Sequence, residues 1–141
     1  MPLPTRRERY VLQVKDIMSE KVVTIGPAAS VQKAVERLLE EDVGTLMVVD
    51  ENGRMIGLLN ESSLLAATFD GQIRNDPVSL HMERDFVHVR PTDSIESVID
   101  ASILHRVRQL PVIENRRLVG LVTRRDLLRA VFGRVQVATA R

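Results

Sequence analysis

The residues best able to do chemistry lie in the stretch GLVTRRDLL, Gly120 to Leu128. Thr123 and Asp126 stand one helical turn apart, where a β-rich apolar run gives way to a helix-forming one, with Arg124 and Arg125 between them. Two kinds of chemistry suit that spacing. One is local. A threonine ahead of a helix, with an acid three residues on, forms a capping box in which each side chain bonds the other residue's backbone N–H. Such a cap contributes about 1 kcal/mol. The other is recognition of a sugar phosphate. Free N–H groups at a helix start favour an anion. Thr123 can donate to a phosphate, and the two oxygens of Asp126 suit the vicinal diol of a ribose. Each charge-assisted bond of this kind contributes about 1.5–3 kcal/mol. Arg124 and Arg125 can offset phosphate charge in a fork geometry that lysine lacks, and Arg106 and Arg108 lie ahead of the preceding strand. On a short helix, arginines are also ordinary solvated surface.

Other chemistries find no support. The chain of 141 residues has no cysteine, which excludes disulfides, thiolate catalysis and Cys-based metal sites. His81, His88 and His105 form no metal-ligating pattern such as H-E-x-x-H. No serine sits in a G-x-S-x-G elbow, and the scattered glycines make no phosphate loop. The chain is therefore expected to be no enzyme and to require no cofactor or metal. A net charge of +1 draws it neither to nucleic acid nor to a membrane. The basic arm TRRER, Thr5 to Arg9, suits a frayed solvated tail. With three Phe, one Tyr and no Trp, the core must be aliphatic and stacking surfaces for single strands are scarce. No apolar run approaches the roughly 18 residues of a membrane span. The opening MPLPTRRERY lacks the apolar segment of a signal peptide. A cytoplasmic location is expected.

The elements that must position Thr123 and Asp126 are written twice. VKDIM, Val14 to Met18, aligns with VSLHM, Val78 to Met82. The same shift sets Pro27 on Pro91, Ser30 on Ser94, Val43 on Val107, Leu46 on Leu110 and Val48 on Val112. After one deletion in the second turn, GLLNESSLL falls on GLVTRRDLL. Two copies are too few for a solenoid and suit a domain with internal pseudo-two-fold symmetry. Each copy reads as strand, helix, strand, strand, helix, which predicts an α/β (α+β) fold of tandem βαββα repeats. In the first copy, KVVTI is a short strand ended by Gly26 and Pro27. Val31, Ala34, Val35, Leu38 and Leu39 then form a helical stripe. TLMVVD and RMIGLL flank a hairpin turn at Asp50–Gly53, with glycine where positive φ is easiest. A second helix is expected over about 61–68. In the second copy the long helix is expected to begin at Asp93, with Glu96 completing an acidic capping box. Ile95, Val98, Ile99 and Ile103 form its stripe. The last helix is expected from Arg124 to about Phe132. The resulting boundaries are an arm at 1–13, a repeat at 14–70, a linker at 71–77, a repeat at 78–132 and a tail at 133–141. One repeat alone would bury little core, so sheet-to-sheet packing of the copies is expected.

Together these residues resemble the CBS-domain pair, a regulatory module named after cystathionine β-synthase. The match runs from Val14 to Ala130. It rests on VKDIM, on the long helix, on RVRQLPVIENRRLVGLVTRRDLL and on the tandem spacing. The resemblance implies paired repeats that dimerise, and adenosine-type ligands (AMP, ADP, ATP or S-adenosylmethionine) held in clefts between repeats. The family's ribose site follows G-h-x-T/S-x-x-D. Gly120, Thr123 and Asp126 match it in full, whereas Asn60 and Ser63 depart from it after Gly57. One competent and one degenerate site are thus implied. Carried over by position, Thr123, Asp126 and Arg125 would face Met18, Lys21 and Val23, with Val43 and Gly44 nearby and Leu121 walling the base. The weaker mirror site would use Met82, Val87, Val107 and Arg108 with Asn60 and Ser63, and Asp85 there would repel a phosphate. The resemblance implies a stand-alone sensor whose ligand favours one arrangement over another. Its partners would be a small adenosine derivative, a second copy of itself and an unidentified protein target, with no nucleic acid and no membrane. The alternative is a dimerisation scaffold with a vestigial site.

Overall fold

The computed structural model describes residues 12–68 and 73–134. The arm before Leu12, most of the tail and part of the linker lie outside the described residues. Along the chain come α1 (Val14–Ile17), β1 (Thr24–Ile25), α2 (Val31–Glu41), β2 (Thr45–Val49), β3 (Met55–Asn60) and α3 (Glu61–Thr68). Two 3₁₀ turns follow, Ile73–Asn75 and Val78–Leu80. Then come α4 (Ile95–His105), β4 (Gln109–Glu114), β5 (Arg117–Thr123) and α5 (Arg124–Arg129). The fold is α+β, with small sheets in both copies, as the periodicity predicts. Among the described residues no helix is long and apolar enough to cross a membrane.

The chain forms two compact units that do not follow the repeats as counted along the sequence. The first holds Val22–Phe86 with Arg116–Leu118. The second holds the described residues of Met1–Lys21, Val87–Asn115 and Val119–Arg141. Each repeat thus lends its opening segment to the body of the other. Gln13 bridges Ser94 in the second unit, and Pro77 bridges Ser30 in the first. The cause is apolar. Val14 and Val78, the first residues of the two aligned segments, are fully buried, each in the core of the opposite repeat's body. Burying such a side chain contributes about 1.5–3 kcal/mol.

In the first unit β1 runs parallel to β2, with Ile25 opposite Val48, and β2 pairs antiparallel with β3, with Leu46 opposite Leu59. The β2–β3 turn is closed by Asp50, whose Oδ1 accepts from the amides of Asn52 (2.9 Å) and Arg54 (3.0 Å). Gly53 there takes the expected positive φ of 80°. Ser30 caps α2, its hydroxyl accepting from the Lys33 amide at 3.1 Å. Val31, Ala34 and Leu38 of that helix enter a core with Leu46, Val48, Leu59 and Leu64. Leu39, placed in the stripe on spacing alone, is instead 76% exposed.

The second unit repeats this plan on β4 and β5. Val89 lies parallel to Val112, donating to the Pro111 carbonyl at 3.0 Å and accepting from Ile113 at 2.8 Å. It thereby takes the place that Ile25 holds beside β2. Three expectations are corrected here. α4 is capped by Ser94, which accepts from the Ser97 amide at 3.1 Å, not by Asp93. Asp93 closes the preceding turn by accepting from Arg90 N at 2.8 Å, so no Asp93–Glu96 box forms. Ile103 is 70% exposed, and the buried member of that last turn is Ser102 at Leu38's repeat position. Its hydroxyl donates to the Val107 carbonyl at 3.0 Å, which satisfies the buried oxygen. The last helix is α only to Arg129 and continues as a π turn over Ala130–Arg134.

Candidate functional site

In the second unit, β5 carries the chain to the corner where α5 begins. Gly120 lets a neighbouring segment lie close: a Cβ there would stand 2.7 Å from Met18 Sδ and 3.0 Å from the Ser19 carbonyl. Ser19 and Leu121 exchange backbone hydrogen bonds, 2.9 Å each way. Met18 and Ser19 are therefore brought against the strand that carries Leu121 and ends at Thr123. Thr123 is the N-cap of α5. Its Oγ1 accepts from the Asp126 amide at 3.2 Å, and Asp126 Oδ2 accepts from the Thr123 amide at 2.9 Å. The capping box is real. It holds both side chains at one corner and leaves the Thr123 hydroxyl hydrogen free to donate.

The arginines divide. Arg129 Nη1 donates to Asp126 Oδ1 at 3.3 Å, with the Asp126 side chain 19% and the Arg129 side chain 55% exposed. Arg124 is turned to the backbone, its Nε donating to the Val107 carbonyl at 3.1 Å and its amide to the Arg108 carbonyl at 3.0 Å. Arg125 and Arg108 are exposed, as is Lys21, whose amide donates to Ser19 Oγ at 3.2 Å. Thus Thr123, Asp126, Leu121, Met18, Lys21 and Arg125 belong to one body, with Val87, Val107 and Arg108. Val23, Val43 and Gly44 belong to the other, with Asn60, Ser63 and Met82. Arg129 was absent from the candidates drawn from the sequence, although its spacing from Asp126 is that of a helical ion pair.

The first unit has the same corner with other polar groups. A Cβ on Gly57 would stand 2.7 Å from Met82 Sδ and 2.9 Å from the Glu83 carbonyl. Leu58 and Glu83 exchange backbone bonds of 2.9 and 2.8 Å. Asn60 Oδ1 accepts from the Ser63 amide at 2.8 Å, so the cap survives with serine in the place that Asp126 holds in the other unit. Asn60 Nδ2 and Ser63 Oγ each donate to Glu83 Oε1 at 3.3 Å. The Glu61 amide donates to the Gly44 carbonyl at 3.1 Å, as Arg124 does to Arg108. Glu83 was not among the candidates either. The signal was available, since aligning VKDIMSE with VSLHMER sets Glu83 on Ser19.

The family model of the CBS domain matches the chain twice, over residues 14–70 and 77–133. The CBS domain-containing protein YhcV of Bacillus subtilis is 33% identical over 115 residues, which is 81% of this chain and 81% of that protein. Protein MJ1225 of Methanocaldococcus jannaschii is 28% identical over 116 residues, 82% of this chain but only 41% of its own length. Among solved structures, CBSX2 in complex with AMP is similar at 26% identity and a TM-score of 0.78, covering 92% of this chain and 98% of that one. Matches over both repeats, together with the duplicated corner, identify the chain as a member of the CBS domain family carrying a tandem pair of the domain.

Proposed function

We propose that the chain is a regulatory module that binds an adenosine-type nucleotide at the Thr123–Asp126 corner and signals its occupancy to a protein partner. The observation that carries this reading is the half-buried Thr123–Asp126 pair on a complete G-h-x-T-x-x-D pattern, joined by Met18 and Leu121. The likeness to a structure that holds AMP supports the ligand class. In this reading Asp126 takes the ribose diol, the Thr123 hydroxyl and Arg125 take phosphate, Lys21 adds charge, and Met18 and Leu121 supply apolar surface. The ligand acts through preference for one arrangement of the chain, without chemistry of its own.

The module also binds a second copy of itself in this reading. Each unit exposes an apolar pair at equivalent helix positions, Leu39 and Leu65 in the first, Ile103 and Leu128 in the second. In the second unit these residues adjoin an apolar groove of about 520 Å³ between α4 and α5. These pairs equally favour the second reading, a scaffold with a vestigial site.

Thermal stability separates the two. AMP, ATP and S-adenosylmethionine are each added to the purified chain. A ligand at 100 times its Kd stabilises by about 2.7 kcal/mol. Asp126→Ala should abolish the stabilisation while the chain still folds, and Ser63→Ala should leave it. Indifference to all three compounds supports the scaffold.

A further inference from the structure

The two units carry opposite charge at the same place. The helices α2 and α4 both end on a left-handed residue, Asp42 at φ 53° and Arg106 at φ 54°. In the first unit the Glu61 carboxylate lies beside that end: a Cβ on Gly44 would stand 2.7 Å from Glu61 Oε1. In the second unit Arg124 lies there, through its bond to the Val107 carbonyl. Two acids thus meet at the C-terminal end of α2, and two arginines at that of α4. The arginines suit the negative pole of a helix, whereas the acids oppose it. The last turn of α2 holds no basic residue, and among the described residues neither Asp42 nor Glu61 pairs with a cation. Arg37, the next cation along α2, is turned to the Thr24 carbonyl at 2.8 Å and to Glu41 at 4.0 Å. The acidic end is therefore uncompensated within one chain.

Shape follows charge. Beside the acids Leu39 and Leu65 project, 76% and 66% exposed. Beside the arginines lies the groove of about 520 Å³, lined by Ile103, Leu128 and Phe132 and by Ser102, where the first unit has the bulkier Leu38. We infer that α2 and α3 of one chain dock on the α4–α5 groove of a second copy, so that unlike units meet in the dimer. This pairing rests on the reading that the module binds a second copy of itself. A two-fold axis that sets the first unit on the second repeats the contact in reverse, so both contacts join Asp42 and Glu61 with Arg106 and Arg124. Like units face to face would set acid on acid and arginine on arginine, which is unfavourable. Asp100 stands at the repeat position of Glu36, so that place has one sign in both units and favours neither pairing.

The test is sedimentation equilibrium at low and high salt, about 0.05 and 0.5 M NaCl. The wild type is compared with Asp42→Asn/Glu61→Gln and with Asp42→Arg/Glu61→Arg. The arginine pair is what the second unit already carries on the same backbone, and circular dichroism melts check that each variant folds. The wild-type dimer is expected to weaken as salt rises. At low salt the neutral variant is expected to weaken it severalfold, and the reversed variant about tenfold or more. A dimer that tightens with salt or in the neutral variant, or that ignores the reversed one, overturns the pairing of unlike units while the reading of a dimer stands. A wild type that stays monomeric at micromolar concentration in low salt removes both.

Discussion

Arg129 Nη1 stands 3.3 Å from Asp126 Oδ1, so the carboxylate proposed to take a ribose already has a cation on one oxygen. Its other oxygen serves the Thr123 amide. Neither contact closes the group. A carboxylate offers about four lone-pair positions, of which two are in use here. The guanidinium is more than half exposed, and exposed ion pairs contribute only about 0–1 kcal/mol. Arg129→Ala is therefore expected to change AMP affinity by less than about fivefold. A much larger gain on titration would mean that Arg129 fills the site and the ligand must evict it.

The cap and the proposed site share Thr123, and the two roles separate by substitution. Thr123→Ala removes the oxygen that accepts from Asp126 N, and is expected to cost about 1 kcal/mol in denaturant unfolding. Thr123→Ser is expected to keep both the stability and the nucleotide affinity. A Thr123→Ala protein of unchanged stability would mean that the capping box contributes nothing.

Gly57 and Gly120 are expected to resist alanine because a backbone, and not only a thioether, lies against them. At Gly57 a Cβ would meet the Glu83 carbonyl at 2.9 Å as well as Met82 Sδ. Overpacking of this kind costs about 1–3 kcal/mol. Met82→Ala in the same chain should not restore the loss, because the bridge between Leu58 and Glu83 must still move. Recovery in the double variant, seen by thermal melting, would assign the crowding to methionine alone.

Leu38 and Ser102 occupy one repeat position with different chemistry. Leu38 is apolar core, so Leu38→Ala is expected to cost about 2–5 kcal/mol. Ser102 is held through one hydrogen bond to the Val107 carbonyl, which also accepts from Arg124, so Ser102→Ala is expected to cost about 1 kcal/mol. Equal losses on denaturant titration would contradict the assignment of the two side chains.

The repeats, the turn at Asp50–Gly53 and most of the core were legible because turn residues mark chain reversal and apolar spacing reports burial directly. Leu46, Val48, Leu110 and Val112 are all buried where the aligned strands place them. What the pattern does not carry is the identity of the partner surface. Val14 reads as a buried residue whichever repeat it packs against, so the exchange of opening segments is invisible in one dimension. Leu39 and Ile103 fit the helical period, yet the core is narrower than the stripe and leaves both outside. Asp93 and Ser94 are both good caps, and only the turn at Arg90 decides between them. The Thr123–Asp126 cap was legible because a capping box requires that spacing. The hydrogen bond of Ser63 to Glu83 was not legible, because the two lie on segments distant in sequence that only the fold brings together.

The exposed pairs Leu39 with Leu65 and Ile103 with Leu128 are expected to be covered in a dimer. Leu65→Asp with Leu128→Asp should shift sedimentation from the dimer to the monomer. A monomeric wild type at micromolar concentration would remove the pairs from that role.

The most direct measurement is AMP titration of the wild type beside Asp126→Asn, with both chains shown to be folded. Saturable binding by the wild type, weakened about tenfold or more in the variant, is the expected result. Equal binding by the two, or no heat from AMP, ATP or S-adenosylmethionine with the wild type, would contradict a nucleotide held by Asp126.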